Sequence, residues 1–117
     1  MIRSAWFPDT VGGVIFHIAE REAWDAAVAA GEYTVSTRGR SLAEQGFIHM
    51  STRVQVDGVA GRFYAGVDDL VLLHVDESRL TAPLQYDAVP GTVDSFPHLY
   101  GPLNVDAVVA VEPFAAP

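Results

Sequence analysis

The apolar run at residues 70–75, LVLLHV, constrains the fold of this chain more than any other stretch. A run of this length is far too short to span a bilayer, and its aliphatic content is typical of a buried β-strand. Runs with the same character lie at residues 14–18 and 47–51. Because buried strands need apolar cover from other parts of a chain, the sequence predicts a folded domain with its own core.

Two segments have the residue spacing of amphipathic helices. Residues 20–30 begin with acidic side chains, which favour a helix start, and they end at Gly31, which favours a helix stop. Residues 53–64 follow a capping-box pair formed by Thr52 and Gln55. Both segments are therefore predicted to be helices.

The rest of the chain consists of shorter segments. We predict strands at 84–89 and 105–111, a loop or weak strand at 33–40, single turns at 41–44 and 76–80, a loop at 96–103 and a tail at 113–117. The helices are few and early, and several strands are joined by short turns, which favours an α+β fold over a βαβ repeat. No linker or internal repeat divides the 117 residues, so we expect a single domain over residues 1–117.

Composition narrows the classes of function. The chain has no cysteine, which excludes disulfides and thiolate chemistry. Its net charge is −8, and its seven basic residues are all arginine, so an extended nucleic-acid footprint is unexpected and a small anionic ligand fits better. The N-terminal stretch lacks a signal-peptide pattern and no apolar run is long enough to span a membrane. We therefore expect a soluble cytoplasmic protein.

Histidines occur in apolar or aromatic segments, where leucine or valine would pack more favourably. This holds for His17, His49 and His98. Burying an unpaired polar ring costs on the order of 1–3 kcal/mol, so three such residues predict a shared polar pocket. The alternative for each is a buried ring that is hydrogen-bonded locally. We interpret His74 as structural, at a sheet edge or near Asp76.

The segment GFIHMST carries His49 and Ser51 two positions apart, so a strand points both side chains to one face. Ser51 and Thr52 stand where this strand leads into the second predicted helix. Free backbone N–H groups at a helix start can bind an anion, and the alternative for both hydroxyls is helix capping. His98 shares the segment FPHLYGPL with Tyr100, a candidate to stack on or donate to a ligand.

Two kinds of chemistry suit these residues. Histidine exchanges protons near neutral pH and donates to phosphate, which predicts anion binding with general acid–base work. Imidazole also binds transition metals, but the HExxH spacing is missing, so no metal is expected. We interpret the remaining acidic candidates as surface or turn residues; these are Asp68, Asp69 and Asp87.

Four ordered segments resemble a bacterial family known as domain of unknown function 952. They are IFHIAEREAWDAAVAAGEY, SLAEQGFIHMST, FYAGVDDLVLLHVD and FPHLYGPLNVDAVV, within residues 14–111. That family is grouped by fold with the ADP-ribosyltransferase-like superfamily, which includes NAD-dependent toxins and RNA 2′-phosphotransferases. The resemblance implies a split, curved, mostly antiparallel β-sheet core with short flanking helices, and a cleft that holds NAD in active members.

The resemblance also implies roles for particular residues. His17 stands on the first core strand, where relatives place a residue that contacts NAD. GFIHMST is similar to the HVHLS-type strand of the phosphotransferases, which implies that His49 and Ser51 lie in the cleft. The late glutamate of many superfamily members has no counterpart, and FPHLYGPL offers His98 and Tyr100 instead.

Three hypotheses follow. In the first, the chain is an enzyme that acts on NAD or a related nucleotide, with His49, Ser51 and His98 as catalytic residues. The residues that hold the cofactor would be His17, Thr52 and Tyr100. In the second, the cleft binds a nucleotide or small anion without catalysis. In the third, the histidines serve a metal-dependent hydrolase. The acidic balance argues against RNA as a substrate.

Overall fold

Ten strands and three helices make up residues 13–117, the part of the chain that the computed structural model describes. The strands are β1 (Val14–Glu20), β2 (Glu32–Tyr33), β3 (Val35–Thr37), β4 (Arg40–Ser41), β5 (Ile48–His49), β6 (Leu70–Asp76), β7 (Leu84–Ala88), β8 (Ser95–Leu99), β9 (Leu103–Asn104) and β10 (Val108–Phe114). The helices are α1 (Arg21–Ala30), α2 (Leu42–Gln45) and α3 (Val56–Phe63). The first twelve residues, with most of the stretch inspected for a signal peptide, lie outside this description.

The first sheet has the order β1-β6-β10, and both pairs are antiparallel. Alternate residues of β1 and β6 point to opposite faces, and both faces are buried. One face, with Ile15 and Leu73, packs beneath α1, while the other, with Phe16 and Leu72, packs beneath α3. Cover on both faces explains why β6 is apolar nearly throughout.

The second sheet has the order β5-β8-β7 and is also antiparallel. The two sheets meet at Ser51, whose backbone exchanges two hydrogen bonds of 2.8 Å with Phe16 in β1. Just before this point the Met50 N–H donates to the carbonyl of Pro97 in β8, at 2.9 Å. In an antiparallel ladder the residue opposite Met50 would also donate its N–H to the Met50 carbonyl, but Pro97 has no N–H. Pairing with β8 therefore ends at Met50, and the next residue, Ser51, pairs with β1.

Local signals place several elements as expected. The α+β class, the mostly antiparallel pairing and the short helices are confirmed. The predicted helix at residues 20–30 is α1, and Gly31 closes it with a φ of 90° and a hydrogen bond to Ala27 of 2.7 Å. The turn predicted at residues 41–44 overlaps α2, and the backbone and side chain of Ser41 each bond to Glu44 in a capping box.

Two predictions about the C-terminal third were wrong. Most of the predicted loop at residues 96–103 belongs to β8 and β9. Prolines are unfavourable in strands, but Pro97 lies at the position where β5 pairing ends and a bond from its nitrogen is dispensable. The predicted strand at 105–111 begins only at Val108, after a 3-10 turn, and β10 continues into the first two residues of the predicted tail.

Other boundaries differ less. The helix expected at residues 53–64 opens with a 3-10 turn, Arg53–Gln55, before α3 begins. The strand expected at 47–51 is reduced to β5, and residues 33–40 contain short strands, as in the weak-strand alternative. No helix within residues 13–117 combines the length and apolar character needed to cross a membrane.

Candidate functional site

A cleft runs along one face of the second sheet. It consists of two adjoining cavities of about 750 and 590 Å³. His49, Phe63 and Val89 line both cavities, so we treat the two as one cleft with an α3 side and an arginine side. The α3 side lies between α3 and the loop that joins β7 to β8. The arginine side lies against the β3–β4 hairpin.

Strand pairing sets two of the predicted histidines side by side in this cleft. His49 in β5 is the direct partner of His98 in β8, so both side chains project from the same face of the sheet. Their ring centroids are 5.5 Å apart. The His98 ring stacks on Phe47 with centroids 3.9 Å apart and planes inclined by 16°. These contacts restrict how the two rings can turn.

Asp87 orients His98. The Nδ1 atom of His98 donates a hydrogen bond of 2.9 Å to the Asp87 carboxylate, which also accepts the hydroxyl proton of Tyr100. The Tyr100 bond and then the His98 bond hold the pKa of Asp87 below its usual value. The same contact with Asp87 raises the pKa of Tyr100. A carboxylate on Nδ1 fixes the tautomer and leaves Nε2 of His98 for exchange with a ligand.

His49 is held in a mostly apolar setting. Its ring lies 5.2 Å from Phe96 and 6.4 Å from Phe63, measured between centroids. Burial, followed by the nearby His98, lowers the pKa of His49 to about 4. The ring is therefore neutral at pH 7 and can accept as well as donate a hydrogen bond.

Arginines of this acidic chain converge on the cleft. Three of the six in the described residues line it, namely Arg38, Arg40 and Arg62. The Arg38 backbone N–H donates to the Tyr64 hydroxyl at 3.1 Å, which ties the β3–β4 turn to the end of α3. Arg40 donates to Gln45 at 2.9 Å. In residues 13–117 none of the three arginines pairs with a carboxylate.

His17 lies behind the cleft rather than in its wall. Its Nδ1 atom donates to the His49 carbonyl at 2.6 Å, and its Nε2 atom accepts from the Tyr33 hydroxyl at 3.0 Å. Both ring nitrogens are thus occupied, and burial lowers the pKa of His17 to about 4. A neutral His17 connects β1 to β5 and fixes the backbone that carries His49.

Of the predicted residues that carry a hydroxyl, one lines the cleft and two lie outside its wall. Thr52 lines the α3 side of the cleft, and its backbone N–H donates to the Gln55 side chain at 3.0 Å. Ser51 is 3% exposed and lies behind the cleft at the junction of the two sheets. Tyr100 does not line the cleft, but its hydroxyl bonds to Asp87 and its ring lies 5.6 Å from Phe47 and 6.5 Å from His98. Among the predicted residues, His49, His98 and Thr52 therefore line the cleft.

The described residues contain no group of three or more His, Asp or Glu side chains that could hold a metal ion. The hypothesis of a histidine-based metal hydrolase gains no geometric support from them. For His74 the sequence predicted a sheet edge or a place near Asp76. The residue lies in the central strand β6, so the sheet-edge alternative was wrong; its side chain bonds to Glu112 and packs edge-on against Phe16 at 5.0 Å.

Part of the site lay outside the predicted residues. Asp87 was predicted to be a surface or turn residue, whereas its side chain is the partner of His98. Recognising residues 95–99 as a strand would have exposed the relation, because alternation in the β7–β8 hairpin puts Asp87 and His98 on the same face. The convergence of Arg38 and Arg62 had no local signal, since 24 positions separate them.

Most of this chain is similar to known proteins. The family described as "Protein of unknown function (DUF952)" matches residues 18–111. The crystal structure of protein CC0527 from Caulobacter crescentus is 35% identical over 87% of this chain and 86% of that chain, with a TM-score of 0.77. The solution NMR structure of CC0527 is 36% identical over 86% and 83%, with a TM-score of 0.70. No curated protein matches the chain.

Proposed function

This chain belongs to the DUF952 family, and on that premise we propose that its cleft binds a nucleotide such as NAD, with His98 as a general acid or base. The observation that carries the proposal is the placement of His98. Its ring is oriented by Asp87 at 2.9 Å and lies in a cleft that also receives three arginines. An oriented base beside cationic groups suits chemistry on a small anionic substrate.

Arg38 and Arg40 supply the anion-binding part of the proposed site. Their guanidinium groups present several donors that match phosphate oxygens in pairs. The hydrogen bond from the Arg38 backbone to Tyr64 restrains this hairpin before any ligand arrives. Because the chain as a whole carries a charge of −8, a local cationic wall is also what allows an anion to approach.

Aromatic and polar groups supply the rest of the site. Phe63 and Phe96 flank His49 and offer apolar faces to a planar ring. The guanidinium of Arg62 lies over the Phe63 ring, 5.7 Å from its centroid. Asp94 and Thr92 line the α3 side and can bond to sugar hydroxyls. A molecule with a phosphate, a sugar and a planar base would use all of these groups.

His98 would perform the proton transfer. With Nδ1 bound to the Asp87 carboxylate, Nε2 is the nitrogen that takes a proton from a nucleophile or returns one to a leaving group. Asp87 is ionised at neutral pH, and the bonds from Tyr100 and His98 lower its pKa further. Asp87 and Tyr100 are then positioning residues. In this proposal His17 and Ser51 support the backbone of His49, and Thr52 remains available to the ligand.

An ADP-ribosyltransferase-like relationship is part of the proposal. Two antiparallel three-stranded sheets that meet at one bridge, beside a cleft with histidines from adjacent strands, support it. The late glutamate of that superfamily is missing. In its place the proposal assigns acid–base work to His98 with Asp87.

Calorimetric titration with ADP-ribose, NAD and nicotinamide tests the binding, and an assay of NAD consumption tests the chemistry. We expect Asp87→Asn to keep binding but to lower turnover about 100-fold or more, because the tautomer of His98 is no longer fixed. Asp25→Asn, an exposed substitution in α1, is the matched control and should change neither quantity.

Three outcomes are distinguishable. Binding with turnover that depends on Asp87 supports the enzyme. Binding without turnover of any nucleotide supports the alternative, a non-catalytic module that binds a nucleotide or small anion. Failure of wild-type protein to bind any of the three compounds at millimolar concentration overturns the proposal.

A further inference from the structure

A small cavity adjoins the cleft at His49. It has a volume of about 10 Å³. Its wall includes Ser36, His49 and Ser51, together with Val59 of α3 and Tyr64. His49 lines this cavity and both parts of the cleft.

Two buried polar atoms in this wall have no hydrogen-bond partner among the described residues. They are the hydroxyl oxygen of Ser36 and the Nε2 atom of His49. Ser36 is 0% exposed, so bulk water cannot satisfy its hydroxyl. An unsatisfied group of this kind is costly, and nearly all buried polar atoms in native proteins are bonded to protein or to ordered water.

We propose that this cavity binds one structural water molecule, which bridges the Ser36 hydroxyl to Nε2 of His49. The volume of about 10 Å³ matches the space that a single water requires. Such a water needs two to four polar partners, and Ser51 in the same wall is a third hydrogen-bonding residue. A larger ligand does not fit.

Through this water Ser36 would influence the orientation of His49 in the cleft, although Ser36 does not line the cleft. A neutral imidazole has one donor and one acceptor nitrogen, and the bond made at Nε2 decides what Nδ1 can do. The His49 backbone is already fixed by His17 through a 2.6 Å bond. With Nε2 also held, the ring presents one edge to the cleft in one tautomer. Ser36 is then a positioning residue for His49.

The direction in which Ser36→Ala changes Tm distinguishes a hydrated cavity from a dry one. If the cavity were dry, Ser36→Ala would delete an unsatisfied hydroxyl and raise Tm or leave it unchanged. If a water bridges the two atoms, the same substitution removes one of its partners, and Tm should fall by about 4 °C. Ser95→Ala is the control, since Ser95 is exposed in β8.

Two further measurements address the water directly. Nuclear Overhauser contacts between a long-lived water and the amides of Ser36 or His49 should appear in wild-type protein, even if Ser36→Ala does not fold. Ring ¹⁵N shifts should report one His49 tautomer in wild type and a mixture in Ser36→Ala, a change that a purely structural serine would not produce.

These results do not depend on the function proposed for the cleft. A bound water with a His49 tautomer that responds to Ser36 supports the inference even if no nucleotide binds. A higher or unchanged Tm for Ser36→Ala, or the absence of a long-lived water in wild type, overturns it and leaves the cleft proposal intact.

Discussion

The two three-stranded sheets of this protein have the same antiparallel pairing but different surroundings. In the sheet β1-β6-β10, the strands β1 and β6 are seven residues long and are covered by α1 on one face and α3 on the other. In the sheet β5-β8-β7, one face bears the cleft, with His49 and His98 in its wall. Its strands are shorter, and β7 carries polar residues.

Because of this difference, we expect the first sheet to contribute mainly to stability and the second sheet to contribute mainly to ligand binding. Burial on both faces leaves β1 and β6 little freedom to carry polar groups, and His17 is buried in β1 with both ring nitrogens bonded. The second sheet can hold a carboxylate and an oriented histidine because one of its faces bears an open cleft. Substitutions in the first sheet should therefore act on folding, and substitutions beside the cleft should act on ligand binding.

The largest effect is expected from the centre of the first sheet. Leu73 is 0% exposed in β6, and Leu73→Ala should lower the free energy of unfolding by about 2–5 kcal/mol, through lost burial and the cavity left behind. Urea unfolding measures this change. The remaining folded protein should bind ADP-ribose with the wild-type affinity. A stability loss below about 1 kcal/mol would contradict the assignment of this sheet as the core.

The second-largest effect is expected from lowering the pH, which should destabilise the fold through His17. Its folded-state pKa of about 4 lies below the unfolded value near 6.5, so between these pH values the unfolded chain binds the proton. Stability is therefore full above pH 6.5 and is lost as the pH falls toward 4. From pH 7 to 5 the loss from His17 alone should be about 2 kcal/mol by urea unfolding. Ring NMR signals showing protonated His17 in folded protein at pH 5 would refute this.

Removal of one cleft arginine should change binding rather than folding. Arg62→Ala should weaken ADP-ribose binding about tenfold or more, because a charge-assisted bond to phosphate contributes roughly 1.5–3 kcal/mol. Arg79→Ala is the control, since Arg79 is paired with Asp76 and does not line the cleft. Equal effects of the two substitutions in calorimetry would mean that only the net charge matters.

The smallest effect is expected from two glycines on the exposed side of α3. A methyl group added at Gly58 or Gly61 meets no atom within 4 Å, so either change to alanine should stabilise the helix by roughly 0.5–1 kcal/mol. Gly58 lines the cleft and Gly61 does not. Gly58→Ala alone should therefore weaken ADP-ribose binding. Identical affinities in the two variants would show that the ligand does not approach this helix turn.

Sequence patterns predicted the parts of the fold that local physics determines. Apolar runs identified β1 and β6, and capping residues and Gly31 identified the helix ends. The pairing of β8 depends instead on contacts with distant residues, such as the hydrogen bond from the Met50 N–H to the Pro97 carbonyl. The segment by itself predicts a loop. The prediction therefore placed His98 in a loop and lost its partner.

The candidate site shows the same division. The histidines were visible because each polar ring interrupts an apolar segment. Which of them face a ligand depends on hydrogen bonds from distant residues, such as the bond of His17 to a carbonyl 32 positions away. Asp87 and the converging arginines gave no signal within their own segments, because the fold alone brings them together.

The most direct test of the central claim is an NMR titration of the histidine rings with ADP-ribose. The account predicts that the His49 and His98 signals shift together, while those of His17, behind the cleft, and His74, in the first sheet, stay unchanged. If His49 and His98 do not move at millimolar ADP-ribose, or if His74 moves instead, the cleft of the second sheet is not the ligand site.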